Sequence, residues 1–235
     1  MKRIDLVQVE HKRKIGEVCE YIEPNVTEDS IFYIDGEPIG FYMSKMPEKM
    51  CKIADLANAE FRSDNVPKSN MSRATVSNKE QYELMKKGLT EKTRVNQFSA
   101  IIGSIAPKAQ FKRPYPNYSS VHSIKTAQTF IKAMLLLAKE SEALIKKILP
   151  KQYEQQIEVF KDVPEKWRFA NLFTSSISNF NISAPFHRDT GNIKGAVNVI
   201  ICKKHNSKGG DLHIPDYDAT IGQKDNSILV YPAWR

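Results

Sequence analysis

Read from the N-terminus, apolar and polar positions first fall into a regular pattern at residues 31–43. Ile31, Phe32, Tyr33 and Ile34 precede Asp35 and Gly36, and Ile39, Phe41, Tyr42 and Met43 follow. β-Branched and aromatic runs flanking a dipeptide that accepts positive φ predict a β-hairpin, with Pro38 placing the start of its second strand at an edge. No element is expected before Ile31. Over residues 47–62, Met50, Ile53, Ala54, Leu56 and Ala57 recur at helical spacing. The Ser- and Asn-rich stretch 63–78 reads as a solvated connector, although Lys68, Met71 and Arg73 could also lie against a polyanion. Residues 80–87 suit a short helix closed by Gly88.

Residues 97–102 read as a strand broken by Gly103. The longest periodic stretch is 126–149. Ile131, Met134, Leu135, Ala138, Ile145, Ile148 and Leu149 mark one face, Lys132, Lys139, Glu140, Glu142 and Lys146 the other, and Pro150 stops it. This predicts a helix that buttresses a sheet, followed by a shorter helix over 153–160. Residues 167–180 read as one or two strands in which Ser176 and Ser178 alternate with Ile177. Their hydroxyls would face either a barrel interior, where they could bind a co-substrate, or solvent. Asn198 interrupts the apolar run 195–201, and a buried amide needs hydrogen-bond partners, so it either caps a neighbouring strand or, the reading preferred here, faces a cavity. A polar loop closing on Gly209 and Gly210, a strand at 211–214 ended by Pro215, a second polar loop and a strand at 227–231 complete the chain. Asp216, Tyr217 and Asp218 are read as turn residues.

At 235 residues the chain is long enough for one strand-rich domain with a substantial core. Cys19, Cys51 and Cys202 are scattered without zinc-site or disulfide spacing, which points to an intracellular, reducing compartment. The start lacks a long apolar segment, and the longest uncharged apolar run, 133–138, is too short for a bilayer, so a soluble protein is expected. Lys and Arg outnumber Asp and Glu by 35 to 27, a formal charge of +8 that favours an anionic partner such as nucleic acid. In residues 107–118, Lys108, Lys112 and Arg113 are interleaved with Phe111, Tyr115 and Tyr118. Cations for phosphates and rings for an unpaired base make Lys112, Arg113 and Tyr115 candidate DNA contacts, although such residues also fasten loops onto barrels. His122 is read as packed or solvated rather than as a ligand.

The candidate chemistry lies in the stretch 181–201, at His187 and Asp189. On a strand, residues two apart leave the backbone on one face, so the imidazole and the carboxylate would reach the same metal ion. An imidazole nitrogen and a carboxylate oxygen suit Fe(II), and a third ligand from elsewhere would complete a two-His-one-carboxylate triad with open positions for co-substrate and dioxygen. The histidines that follow Asp189 are His205, in a lysine-rich loop, and His213, on the Gly-Gly strand.

The order of these features resembles the double-stranded β-helix of the Fe(II)/2-oxoglutarate oxygenases. More narrowly, His187-Arg-Asp189-Thr-Gly191-Asn192, Gly209-Gly210-Asp211-Leu212-His213-Ile214-Pro215-Asp216-Tyr217 and the closing Leu229-Val-Tyr231-Pro-Ala-Trp234 are similar to the phage branch of the TET/JBP nucleobase oxygenases. The segments from Tyr33 to Gly40 and from Arg113 to Pro116 share that likeness. The resemblance implies an α+β fold, a jelly-roll-like double-stranded β-helix core buttressed by helices. A helix-rich part with a hairpin would occupy 1–165 and the first core strands 166–235. It also implies iron held by His187 and Asp189, and oxidation of the 5-methyl group of thymine or 5-methylcytosine in DNA, with 2-oxoglutarate and dioxygen as co-substrates and succinate as co-product. Ser176, Ser178 and Asn198 are the candidate co-substrate contacts.

In that family the third ligand lies a few residues beyond the strand that here ends at Trp234, and the arginine that pairs with 2-oxoglutarate lies further on. The last residue is Arg235. The expectation is therefore a C-terminally incomplete core whose distal histidine comes from a longer product or from a complementing polypeptide. Two other readings stay open: the same oxygenase chemistry on a protein, tRNA or small molecule, and a non-catalytic or split nucleic-acid-binding fragment.

Overall fold

The structure is a computed structural model and describes residues 1–70, 97–107, 115–189 and 192–232. The hairpin forms from β2 (Ser30–Ile34) and β3 (Glu37–Met43), with Asp35 and Gly36 both at positive φ in the turn. Pro38 pairs with Tyr33 and lies outside residues 41–43, the part of β3 that also pairs with a second neighbour, so its missing N–H breaks no second ladder.

The region before Ile31 is not devoid of structure. β1 (Lys2–Asp5) runs parallel to β2 and extends the sheet outward, although its exposed, charged residues carry no hydrophobic period. On the other side, β3 pairs with β11 (Ile228–Tyr231), which pairs with β8 (Asn198–Ile201), for a five-stranded order β1-β2-β3-β11-β8. Along β3 and β11 side chains alternate between two cores. Phe41, Ile228 and Val230 join the larger apolar cluster, and Tyr42 and Leu229 the smaller one. Strands covered on both faces read as unbroken apolar runs, as these two do.

The larger cluster is closed by α1 (Glu48–Arg62) and α2 (Gln128–Ile148). α1 buries Met50, Cys51, Ala54, Ala57 and Phe61, whereas Leu56 is exposed. Lys68 reaches back to the carbonyls of Phe61 and Ser63, so it satisfies the open C-terminal end of α1 and is not offered to a polyanion. The buried face of α2 includes Phe130, Ala133, Leu137 and Ser141, and Glu142 belongs to it rather than to the polar face. Its carboxylate accepts from the backbone amides of Asn171 (2.6 Å) and Leu172 (2.9 Å) and from the Asn171 side chain (2.9 Å), and these bonds compensate its burial. Pro150 ends α2 and opens α3 (Pro150–Phe160), since at a first helical position its missing N–H costs nothing.

β5 (Phe98–Ile105) pairs over six positions with β7 (Ser175–Phe180) and at its ends with β4 (Ser69–Asn70) and β6 (Asn117–Tyr118). Gly103 does not break β5. It sits inside the strand at φ +85°, where an added Cβ would lie 2.6 Å from the Thr174 carbonyl oxygen, so a close backbone approach excludes a side chain there. A ribbon of β9 (Leu212–Ile214) and β10 (Ala219–Ile221) covers the smaller cluster. The second polar loop thus contains a strand too short for period-two reading. Between the two strands a 3-10 turn, Pro215–Tyr217, leads to Asp218 at φ +47°, in line with the turn expected there.

The architecture is α+β, with several sheets and three α-helices among the described residues. The strand pairing described does not by itself trace a double-stranded β-helix. No helix among the described residues is long and apolar enough to cross a membrane.

Candidate functional site

His187 and Asp189 lie in the connection between β7 and β8, and no strand carries them. The expectation that pleating brings them to one face is therefore corrected: the loop's anchors do so. On the upstream side the Asn181 carbonyl, at a residue with φ +53°, accepts from the Gln97 side chain (2.9 Å). Phe186 uses both of its backbone groups on the N-terminal segment: its N–H donates to the Glu17 carbonyl (2.9 Å) and its carbonyl accepts from the Gly16 N–H (2.7 Å). The Phe186 ring stands edge-on to His213 of β9, centroids 6.0 Å apart.

Downstream, the Asp189 carbonyl accepts from the Asn192 N–H (3.2 Å). α3 then holds the approach to β8. Gln152 donates to the Gly195 carbonyl (2.8 Å), and the fully buried Gln156 accepts from the Val197 N–H (2.9 Å) while donating to the Leu172 carbonyl (2.7 Å).

Held between these anchors, the His187 Nε2 is 3.4 Å from the Asp189 Oδ1, and the side chains are 56% and 44% exposed. The His187 Nδ1 is 2.8 Å from the Pro185 carbonyl oxygen, which only accepts, so Nδ1 carries the proton of that bond. In the neutral ring, Nε2 then turns its lone pair toward a carboxylate oxygen. Two lone pairs facing each other at this distance call for a proton or a cation between them. Two ligands bonded to one ion at about 2.1 Å stand roughly 3.0–3.4 Å apart for right-angled to tetrahedral geometry, so the pair has the separation of two ligands of one ion. A backbone carbonyl fixing the other ring nitrogen is the usual support of a metal-binding imidazole.

Asn198 opens β8 opposite Tyr231 of β11, and both residues belong to the sheet face that carries Leu229 and Ile200. Burial, and secondarily the negative charge of Asp189, push the Tyr231 phenol up to about 12, against the opposing effect of the Asn198 amide. Tyr231 therefore lies beside Asn198 and within the field of Asp189.

Ser176 and Ser178 stand elsewhere, on β7 opposite Ile102 and Ala100 of β5. They share the inward side with Phe180, and Ile177 is the residue turned outward, at 57% exposure. Neither serine makes a hydrogen bond to His187, Asp189 or Asn198. Lys112 and Arg113 fall outside the described residues, and Tyr115 lies at the surface. His122 is packed: its Nε2 accepts from the Gly103 N–H (2.8 Å), its ring lies 4.3 Å from that of Tyr118, and burial lowers its pKa. His213 Nδ1 meets the Thr220 hydroxyl at 2.8 Å, and His205 is exposed beside Asn206. Among the described residues no group of three metal-ligating side chains assembles.

Sequence reasoning missed Tyr231, the N-terminal segment against Phe186, and the two glutamines of α3. Only the last left a signal: Gln152, Gln156 and Phe160 share one buried helical face at spacing four, and two amides on an apolar face have to serve backbone groups.

No protein-family description matches this chain, and no curated protein does. Among the solved structures, NgTET1 in complex with 5mC DNA matches at 13% sequence identity and a TM-score of 0.53, over 95% of this chain and 74% of that one. The chain is thus similar in fold to a TET protein.

Proposed function

We propose that this chain is an Fe(II)/2-oxoglutarate-dependent oxygenase of the TET/JBP type, akin to its phage branch, that hydroxylates the 5-methyl group of thymine or 5-methylcytosine in DNA. The observation that carries the reading is the approach of His187 Nε2 to Asp189 Oδ1 at 3.4 Å, with Nδ1 tied to the Pro185 carbonyl. The fold likeness to a TET protein bound to 5mC DNA supports it. His187 and Asp189 would hold the iron, and the third ligand and the 2-oxoglutarate arginine come from outside the described residues or from a complementing polypeptide. Iron with 2-oxoglutarate and dioxygen supplies the oxidation; an intracellular setting suits both the iron and the free thiols.

The chain's own residues orient and shield. The Pro185 carbonyl keeps the imidazole in one tautomer. Tyr231, within the field of Asp189 and paired with the neutral Asn198 amide, stays un-ionised and so adds no negative charge of its own beside the carboxylate. Ser176, Ser178 and Asn198 are the candidate co-substrate contacts, and of these Asn198 pairs with Tyr231, the phenol that feels the charge of Asp189. Lys112, Arg113 and Tyr115 are the candidate DNA contacts, and a target base in a duplex has to leave the stack to reach the pair.

The test is succinate release with Fe(II), 2-oxoglutarate and methylated or unmodified DNA, followed by nucleoside mass spectrometry. The expected result is a hydroxymethylated pyrimidine that His187→Ala abolishes; turnover unaffected by that substitution removes iron from the scheme. One observation favours a second reading, a non-catalytic or split nucleic-acid-binding module: no third ligand assembles among the described residues. Tight one-to-one Fe(II) binding by this chain alone would eliminate it.

A further inference from the structure

Residues 9–17 follow β1 as a strap fastened at both ends. At its start the Val9 N–H donates to the Asp216 carbonyl (2.9 Å), and the His11 Nε2 lies 3.2 Å from the Asp216 carboxylate. At its end are the two backbone bonds to Phe186, and a turn in which the Glu17 N–H donates to the Lys14 carbonyl (3.1 Å) while the Glu17 carboxylate accepts from the Lys14 N–H (3.1 Å). Between the anchors run Lys12, Arg13 and Lys14.

Arg13 is committed internally, to Glu17 at 2.8 Å and over the Phe186 ring at 5.6 Å. Lys12 and Lys14 are exposed, and among the described residues neither ammonium group has an ion-pair, hydrogen-bond or ring partner. Arg188, between His187 and Asp189, is likewise exposed and without a partner among the described residues. Lys12, Lys14 and Arg188 stand on a strap and loop that are hydrogen-bonded to each other, and among the described residues the Glu17 carboxylate near Lys14 offsets only part of their mutual repulsion. A polyanion laid across them would relieve the rest.

We propose that the strap at residues 11–14 is a phosphate clamp, in which Lys12 and Lys14, together with Arg188, grip the backbone of a DNA strand whose base is presented to His187 and Asp189. This rests on the DNA-oxygenase reading and deepens it by naming where the backbone is held. Phe186 links the two parts. It is the residue before His187, it carries both strap bonds, and so it ties the position of the cations to that of the pair. Phosphate contacts of this kind set register and orientation without reading sequence.

The experiment measures binding of a short fluorescent 5-methylcytosine duplex by anisotropy over a range of salt concentrations. It compares the unmodified chain, Lys12→Gln/Lys14→Gln, and a control, Lys132→Gln/Lys139→Gln, on the exposed face of α2. Because Lys12 and Lys14 have no internal partners, the strap variant should unfold at the wild-type temperature. The expected result is a plot of log affinity against log salt that is shallower by about 1.8 for the strap variant, at about 0.9 per lost phosphate contact, with the control unchanged. A strap variant that follows the control overturns the clamp while leaving DNA as the substrate. Absence of DNA binding by the unmodified chain overturns the clamp and the DNA reading together.

Discussion

Gln156 offers the sharpest test of how the site loop is held. Its side chain is fully buried and serves two backbone groups from distant segments, donating to the Leu172 carbonyl at 2.7 Å and accepting from the Val197 N–H at 2.9 Å. Gln156→Leu keeps the volume and removes both partners. Each backbone group left buried without a partner costs about 1–3 kcal/mol, so the loss should be about 2–6 kcal/mol. With a urea m-value of about 3 kcal/mol per molar, a central loss of about 4 kcal/mol lowers the unfolding midpoint by about 1.3 M. Gln156→Glu separates the two bonds. The carboxylate still accepts from Val197 but turns an oxygen toward the Leu172 carbonyl, whereas the protonated acid can donate to it. The folded pKa of that glutamate would lie above its unfolded value, so its stability is full below the unfolded value and lost as pH rises through the folded one. The deficit of Gln156→Glu relative to wild type should therefore shrink on acidification. An unchanged urea midpoint for Gln156→Leu, or a pH-independent deficit for Gln156→Glu, would refute the bridging role.

Two further outcomes follow from the sheet. A Cβ at Gly40 would lie 2.4 Å from the Val230 carbonyl oxygen, and a strand backbone cannot withdraw as a flexible side chain can, so Gly40→Ala should cost about 1–3 kcal/mol or more in thermal unfolding; a loss under about 0.5 kcal/mol would mean that β3 and β11 are not so closely paired. Tyr231 is held un-ionised, its pKa pushed from 10.0 to about 12 by burial and then by Asp189. The raised pKa contributes stability fully below pH 10, and that contribution is lost as pH rises toward about 12, because the unfolded chain gives up the proton first. Tyr231→Phe should flatten this part of the stability curve, and identical pH dependence of the two proteins from pH 10 to 12 would contradict the burial of the phenol.

How much of this was legible in the sequence depended on whether the cause was local. Asp35 and Gly36 signalled the hairpin because a two-residue turn depends on the residues within it. The apolar periods of α1 and α2 appeared because one side of each helix meets the core. His187 and Asp189 stood out as a pair because the chemistry of an imidazole and a carboxylate two residues apart is written in their identities. Their side chains approach without a strand to align them, because the loop is held by remote segments, among them the backbone of residues 16–17, about 170 positions away in sequence.

The sequence by itself therefore determined the local elements and the identity of the candidate pair, since turn chemistry, helical period and side-chain type are properties of neighbouring residues. Only tertiary structure decided that β1 would add to the hairpin, that Gly103 would sit inside a strand, that Glu142 would turn inward to three donors of residues 171–172, and that Tyr231 would meet Asn198 within the field of Asp189. Each of these depends on a backbone group or charge contributed by a remote segment. The hydrogen-bonding and desolvation energies that select such a partner leave no period in the chain, because they belong to the pair and not to either residue alone.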